Sequence, residues 1–414
     1  MKKALVISYN IVRENEMEYP LSIASIINHA RSDIEYGSSF TIDEKHFNLF
    51  SYKNELGNFE NYLDPIDLNK YDIIAVSCFV WNEYLTNPLL NFIRANGYKN
   101  KIVLGGSQIT YADKPQLKSL YPQCDIFITG YGEASFLEIL KCKGEYKDIY
   151  NIQVDFSTIK SPYLNGVLPL LDGQNMIRWE TKRGCPYKCS FCAHRNLESG
   201  RVYDLQLEKS IQELGLFKEK SVKRVNILDP VFNMREAYLQ IVKEIDNQFF
   251  HDTVFTYQSK IELLAKKDGQ TFLDLVEKTN GHLEFGLQTI VPEEYQVIDR
   301  KNDINIIREQ MEILRVRGTS YEVSLIYGLP NQTVSSFKQS IEFVKEMGCQ
   351  KITAWPLMLL RGTPLFSERE KWNLNQEIIG EYDIPVVTSG NTFGKDQWLE
   401  MAEIANKLHA NSRI

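Results

Sequence analysis

Short apolar runs alternate with segments of helical period along most of this chain, and that alternation limits the folds it can adopt. Residues 5–8, 72–77, 101–104 and 124–129 read as strands, with helical periodicity over 21–30 and 83–96. A strand buried on both faces loses its polar alternation, and repeated strand–helix pairs build parallel sheets. The rhythm predicts an α/β protein that opens with a Rossmann-like parallel sheet over residues 1–145. After a turn-rich linker, 146–176, it resumes. Strands are expected at 178–181, 224–228, 253–258, 283–287, 321–327 and 351–355, with helices at 205–216, 236–249, 272–278, 304–317 and 334–347. That is about six β/α units, fewer than the eight of a closed barrel. A partial (β/α)6 barrel over 177–365 follows, with a C-terminal extension, 366–414, whose only clear element is an amphipathic helix at 397–409.

One loop stands out against this frame. Arg183–Cys192 reads RGCPYKCSFC, placing Cys185, Cys189 and Cys192 in a C-x-x-x-C-x-x-C pattern. Three thiolates on one short loop can grip three irons of a cubane and leave the fourth open to a chelating amine and carboxylate. Structural zinc asks for four closed ligands, and His194, two residues beyond Cys192, does not have finger spacing. The loop resembles the signature of the radical S-adenosylmethionine (SAM) superfamily, with Phe191 at its aromatic position. In that family a [4Fe–4S] cluster binds and cleaves SAM to a 5′-deoxyadenosyl radical.

Polar residues at the carboxyl ends of barrel strands read as binding or catalytic, here Asp229, Gln258, Ser259, Lys260, Gln288 and Gly328. Several sit in phrases similar to those of the same family. Phe285–Thr289 resembles the strand whose polar residue helps hold SAM, and Tyr327–Thr333 the turn beneath its adenine. Asp229–Asn233 and Arg361–Leu365 resemble two further family phrases. The resemblance implies SAM contacts from Phe191, Asp229, Gln258, Ser259, Gln288 and Tyr327.

In an open parallel sheet, ligands bind beyond the carboxyl ends of the strands. In the first domain Ser77, Gly105, Gly106, Ser107, Gly130, Tyr131, Gly132 and Glu133 fall there, and glycines at such ends admit a bulky ligand or a tight turn. The order of pieces resembles the cobalamin-binding domain that precedes many radical SAM domains, which implies that those eight residues contact cobalamin. The D-x-H-x-x-G that supplies a histidine to cobalt is missing, and His29 and His46 lie outside such a frame. The alternative is a docking domain that holds no cobalamin. His194, His251, His282 and Cys349 stand apart and read as structural or surface residues.

Composition bounds the rest. The 414 residues carry a net charge of −7, which argues against a nucleic-acid surface. The apolar run at 4–7 is too short for a signal peptide or a membrane span. Seven cysteines without disulfide spacing suit a reducing cytoplasm. The resemblance implies a radical SAM enzyme acting on a small molecule or peptide, reduced by a flavodoxin or ferredoxin, with cobalamin-dependent C-methylation the leading reaction. Radical cyclisation, rearrangement or epimerisation is the runner-up. A non-catalytic iron–sulfur sensor is the reading from another class.

Overall fold

The computed structural model describes residues 1–12, 16–17, 20–49, 59, 63, 66–194, 200–250, 252–379 and 384–411; His251 lies outside them. The chain divides into two compact units, and the boundary falls between Leu171 and Asp172.

The first unit is built on a six-stranded parallel sheet: β1 (Lys2–Asn10), β2 (Phe40–Asn48), β3 (Ile73–Ser77), β4 (Lys101–Gly105), β5 (Ile126–Ile128) and β6 (Ile149–Tyr150). Its spatial order is β2-β1-β3-β4-β5-β6. All neighbours are parallel, so every connection crosses over a face, and each face is covered. One core holds Leu5, Ile7, Ile74, Val76, Ile102 and Leu104 against the helix Glu83–Ala95. The other holds Ala4, Val6, Ile73, Ala75 and Val103 against Leu21–Arg31 and Gly132–Lys141. Alternate residues of one strand thus serve opposite cores, which is why the central strands read as unbroken apolar runs.

Strand β2 escaped the sequence reading. Its residues FTIDEKHFN carry Asp43, Glu44, Lys45 and His46 in the middle, because an edge strand needs fewer apolar side chains. The unit also runs past residue 145. Strand β6 joins the sheet, and Phe156, Ile159, Tyr163 and Leu168 are buried.

The second unit starts with β7 (Ile177–Trp179). A two-stranded ribbon of β8 (Lys182–Arg183) and β9 (Tyr203–Asp204) flanks the cysteine loop. Then come β10 (Arg224–Ile227), β11 (Val254–Ser259), β12 (Gly281–Gln288), β13 (Tyr321–Tyr327) and β14 (Lys351–Pro356). With β7 they form one parallel sheet in the order β14-β13-β12-β11-β10-β7. Sequential order throughout is the topology of a barrel wall. Strands β12 and β13 alternate strictly between buried and half-buried residues. The buried set packs under the helices. The other set, with His282, Glu284, Gly286 and Gln288 on β12, lines the inner side, which a closed barrel would fill with branched apolar residues.

Local chemistry sets the helix ends. Asp303 caps Ile304–Arg317 by accepting from Asn305 N and Ile306 N, and Gly318 closes it in the left-handed conformation. Thr333 and Ser336 form a reciprocal capping box at the start of Val334–Glu346. The last stretch holds more structure than one helix: β15 (Asn375–Ile378) and β16 (Pro385–Ser389) form a hairpin before Lys395–Asn411. That helix covers the open edge of the sheet, where His409 Nε2 accepts the Ala354 amide of β14 at 3.1 Å.

Candidate active site

The cysteine loop leaves the carboxyl end of β7 through Gly184. There φ is +90°, and a Cβ would lie 2.0 Å from the Arg201 carbonyl oxygen, so only glycine fits. Cys185 and Cys189 are buried and Cys192 is half-buried. The Cys192 amide donates to the Cys189 carbonyl at 3.2 Å, winding the last two cysteines into one turn. Ser190 anchors that turn. Its amide donates to Ile298 O at 2.8 Å and its hydroxyl to Val297 O at 3.0 Å, while its carbonyl accepts Leu365 N at 3.0 Å. Phe191 is half-buried beside it.

Burial pushes the Cys185 thiol up, and that of Cys192 to about 11, with the neighbouring cysteines raising both further. These thiols are protonated at neutral pH, so binding a metal centre there releases protons. Among the described residues no three Cys, His, Asp or Glu side chains converge on a single-ion site. A lone zinc with bonds of about 2.3 Å draws its sulfurs together, whereas a cubane takes each thiolate on a separate iron. The donor set, three thiols on one short loop at a sheet's carboxyl edge, suits the second.

Asp229, at the end of β10, is fully buried. It accepts Thr181 N at 2.8 Å, Lys182 N at 3.1 Å and the Thr181 hydroxyl. Its carboxylate thus braces the segment just before the cysteines. Lys182 is buried too, and its ammonium donates to Phe232 O at 2.7 Å and Met234 O at 2.9 Å. Burial raises Asp229 to about 6 and lowers Lys182, against their mutual attraction. Thr181 and Lys182 went unnoticed in the sequence, since neither belongs to a recognisable phrase.

Gln288 closes β12 at an irregularity in the ladder with β13, between Gly286 and Gln288. Its φ is +71°, a left-handed conformation that a residue with a side chain adopts at a cost. Asn302 holds the bend by donating to Leu287 O at 3.0 Å and Thr289 O at 2.9 Å. Ser259 is buried at the end of β11, and its hydroxyl finds no hydrogen-bond partner among the described residues. Gln258 is exposed and bonds to Glu284. Tyr327 is buried, its ring 5.7 Å from that of Trp398 and 5.9 Å from that of Phe337. Lys260 lies over the Tyr187 ring of the cysteine loop at 5.2 Å and pairs with Glu262 at 2.5 Å. Arg300, absent from the sequence reading, bridges the loop and the β12 bend: one guanidinium nitrogen is 3.7 Å from Cys189 Sγ and another donates to Gly286 O.

In the first unit, Ser77 and Gly105 are direct ladder partners at the carboxyl edge. The Ser77 hydroxyl is buried and, among the described residues, without a partner. Half-buried Phe79 and Trp81 stack just beyond it, centroids 4.7 Å apart and planes 5° apart. The glycines have reasons closer to home than a ligand. A Cβ on Gly106 (φ +110°) would lie 2.4 Å from Cys78 O, and one on Gly132 2.7 Å from Ile26 Cδ1. Gly130 has φ +77°. Ser107 opens a short helical turn, Tyr131 packs edge-on against Phe156, and Glu133 is buried, accepting the Ser25 hydroxyl at 2.8 Å. His46 is engaged with Ser8 at 2.6 Å and Glu44 at 3.0 Å.

Residues 179–344 match the family model of the Radical SAM superfamily. Among curated proteins, this chain is 24% identical over 335 residues to the cobalamin-dependent radical SAM methyltransferase TokK of Streptomyces tokunonensis, covering 71% of this chain and 48% of that one. It is 25% identical over 318 residues to the 2-(S-pantetheinyl)-carbapenam-3-carboxylate methyltransferase of Streptantibioticus cattleyicolor, covering 67% and 45%. The chain spans about half the length of these relatives. Its fold is similar to the radical SAM methyltransferase TsrM from Kitasatospora setae, solved with tryptophan and a SAM analogue. The TM-score is 0.71 at 12% identity, covering 99% of this chain and 89% of that one. It is also similar to the cobalamin-dependent SAM radical enzyme OxsB, solved with aqua-cobalamin and SAM, with a TM-score of 0.68 at 15% identity over 99% and 67% of the two chains. At such identities the likeness speaks for the fold. It spans both units, so the N-terminal sheet and the partial barrel occur together in those proteins. No described helix is long and apolar enough to cross a membrane.

Proposed function

We propose, on the premise that this chain belongs to the radical SAM superfamily, that it is a cobalamin-dependent radical SAM methyltransferase acting on an unactivated carbon of a small molecule or peptide. The observation that carries the reading is the cysteine turn at the carboxyl edge of the second parallel sheet, tied by Ser190 and Arg300 to the segments around the Gln288 bend. Cys185, Cys189 and Cys192 would hold the [4Fe–4S] cluster. Bound there with SAM, such a cluster supplies the electron that splits a sulfonium C–S bond, and cobalamin supplies a route for a methyl group.

The chain's own part is binding, orientation and exclusion of water. Ser259 offers a buried hydroxyl with unused hydrogen-bonding capacity, and Gln288 an amide on a backbone held in one conformation by Asn302. These are our candidate SAM contacts, with Phe191 against the cluster turn. Asp229 acts one step back, by holding Thr181 and Lys182 in place. In the first unit, Ser77 and the Phe79–Trp81 pair offer a hydroxyl and a flat aromatic surface at the edge where a corrin would lie. No described histidine stands ready for cobalt there: His46 is committed to Ser8 and Glu44, and His29 sits in the helix on one face of the sheet. A protein of this kind works in a reducing cytoplasm, with a low-potential donor such as a flavodoxin or ferredoxin.

The test is anaerobic reconstitution with iron, sulfide and hydroxocobalamin, then incubation with SAM and dithionite. 5′-Deoxyadenosine is expected, and desalted protein should retain cobalamin whose Co(II) form shows no nitrogen splitting from a protein ligand. Absence of 5′-deoxyadenosine refutes the enzyme and leaves the sensor. Its presence without retained cobalamin refutes methylation and moves the assignment to cyclisation, rearrangement or epimerisation.

A further inference from the structure

We propose that Arg300 is a positioning residue that sets the reduction potential of the centre held by Cys185, Cys189 and Cys192. The proposal rests on the cluster reading above. Arg300 follows the helix Pro292–Val297, its amide held by Tyr295 O at 2.9 Å. From there one nitrogen reaches Cys189 Sγ at 3.7 Å, another donates to Gly286 O, and the buried Nε has no partner among the described residues.

The side chain's company is what distinguishes it. Among the described residues other arginines are paired with carboxylates: Arg31 with Glu44, Arg94 with Asp125, Arg183 with Glu180, Arg317 with Asp274 and Glu277. Arg300 has no carboxylate within ion-pair distance among the described residues, and its fork is spent on a sulfur and a carbonyl. Lys260, whose ammonium also faces the loop, is offset by Glu262 at 2.5 Å. Among the described residues the Arg300 charge therefore stands without a paired carboxylate at the cysteine turn, half-buried, on the side of Cys189.

Taking up one electron adds one negative charge to such a centre. A guanidinium beside a ligating thiolate favours the reduced form and draws density from the sulfur, and both effects raise the potential. The same group ties the turn to Gly286, two residues before Gln288. Charge tuning and the spacing between turn and bend thus share one side chain. The electron comes from a one-electron donor, and no bond in the protein is made or broken.

The experiment compares wild type, R300K, R300M and R300Q after anaerobic reconstitution, with R308M, on the outer face of Ile304–Arg317, as a distant charge control. Iron and sulfide are counted first. Each protein is then titrated with dithionite at a measured potential, following the paramagnetic signal of the reduced centre. About four irons are expected in each. Relative to wild type, R300M and R300Q should lower the reduced-to-oxidised ratio at fixed potential at least tenfold, a midpoint shift of about 59 mV to the negative for one electron. R300K should recover most of the shift, and R308M should show none. An unchanged midpoint in R300M and R300Q, a shift in R300K as large as theirs, or an equal shift in R308M overturns the proposal. If R300M takes up no iron, R300Q decides. A wild type that assembles no cluster overturns the functional reading together with this one, whereas a normal cluster with an indifferent midpoint overturns only the role of Arg300.

Discussion

Replacing Asp229 tests the argument that its carboxylate holds up the cysteine turn. In Asp229→Ala, the buried amides of Thr181 and Lys182 and the Thr181 hydroxyl lose their acceptor at once. A buried donor left unsatisfied costs about 1–3 kcal/mol, so the two amides alone set a range of about 2–6 kcal/mol. Lys182 loses its nearby counter-charge but keeps Phe232 O and Met234 O. Relief from burying a carboxylate offsets part of the loss, and we expect a net cost of about 3 kcal/mol. Asp229→Asn keeps an oxygen for the two amides, and its NH2 can donate to Thr181 Oγ1; it should cost about 1 kcal/mol. The assay is urea unfolding of the apo-protein. Because the chain has two compact units, the relevant transition is that of the second. Trp179, buried two residues before Thr181 with its indole donating to Glu213 at 2.7 Å, lies within it. The alanine variant should unfold at clearly lower urea than the asparagine variant, and a cost for alanine under about 0.5 kcal/mol would refute the bracing role.

The same carboxyl gives a pH prediction. Burial lifts Asp229 to about 6, against about 3.9 in an unfolded chain. The native state then binds the proton more tightly, so this group's contribution is fully present below about pH 4 and is lost as pH rises to about 6; Asp229→Asn should remove that step, and a step that persists in the variant would assign it elsewhere. Changing Cys185, Cys189 and Cys192 together to Ala should abolish iron uptake and 5′-deoxyadenosine formation, while Cys142→Ala, in the first unit, should leave both intact. Gln288→Gly relieves a left-handed residue of about 1–3 kcal/mol of strain, so the fold should hold or gain stability; SAM binding, read by equilibrium titration, should nevertheless weaken by about 1.5–3 kcal/mol, and undiminished affinity would make Gln288 purely structural. Gly106→Ala should unfold the first unit at lower urea because its Cβ meets the Cys78 carbonyl, whereas Gly105→Ala, with only Ile128 at 3.6 Å, should be tolerated; equal effects would contradict the packing.

Two kinds of information meet in this protein. Covalent spacing and period are properties of the chain itself. Three cysteines within one short loop, apolar runs alternating with amphipathic helices, and glycines at strand ends could therefore be read from the sequence, and with them the parallel sheets and the candidate cluster ligands. Strand β2 could not, because an edge strand bearing Asp43, Glu44, Lys45 and His46 looks like a polar loop until β1 pairs with it in register. The hairpin of β15 and β16 was hidden for a similar reason: its short strands gain their meaning from docking, as when Val387 N donates to Leu357 O at 2.8 Å.

The roles of side chains at the site were a matter of partners, and partners come from distant parts of the chain. Asp229 sits at a strand end as the sequence implied, but only the folded chain turns its oxygens onto Thr181 and Lys182, 48 and 47 residues away. Gly106 reads in the sequence as room for a ligand or a tight turn, and only the folded chain puts the Cys78 carbonyl where its Cβ would be. Arg300 carries no signal in one dimension. It is an arginine after a short helix, and what makes it notable is a sulfur 111 residues earlier in the chain, with no carboxylate within ion-pair distance among the described residues. Local sequence determines which elements form, because backbone propensity and burial period act over a few residues. Which charge is left unpaired beside which thiol is decided by packing, because electrostatic partners are chosen through space.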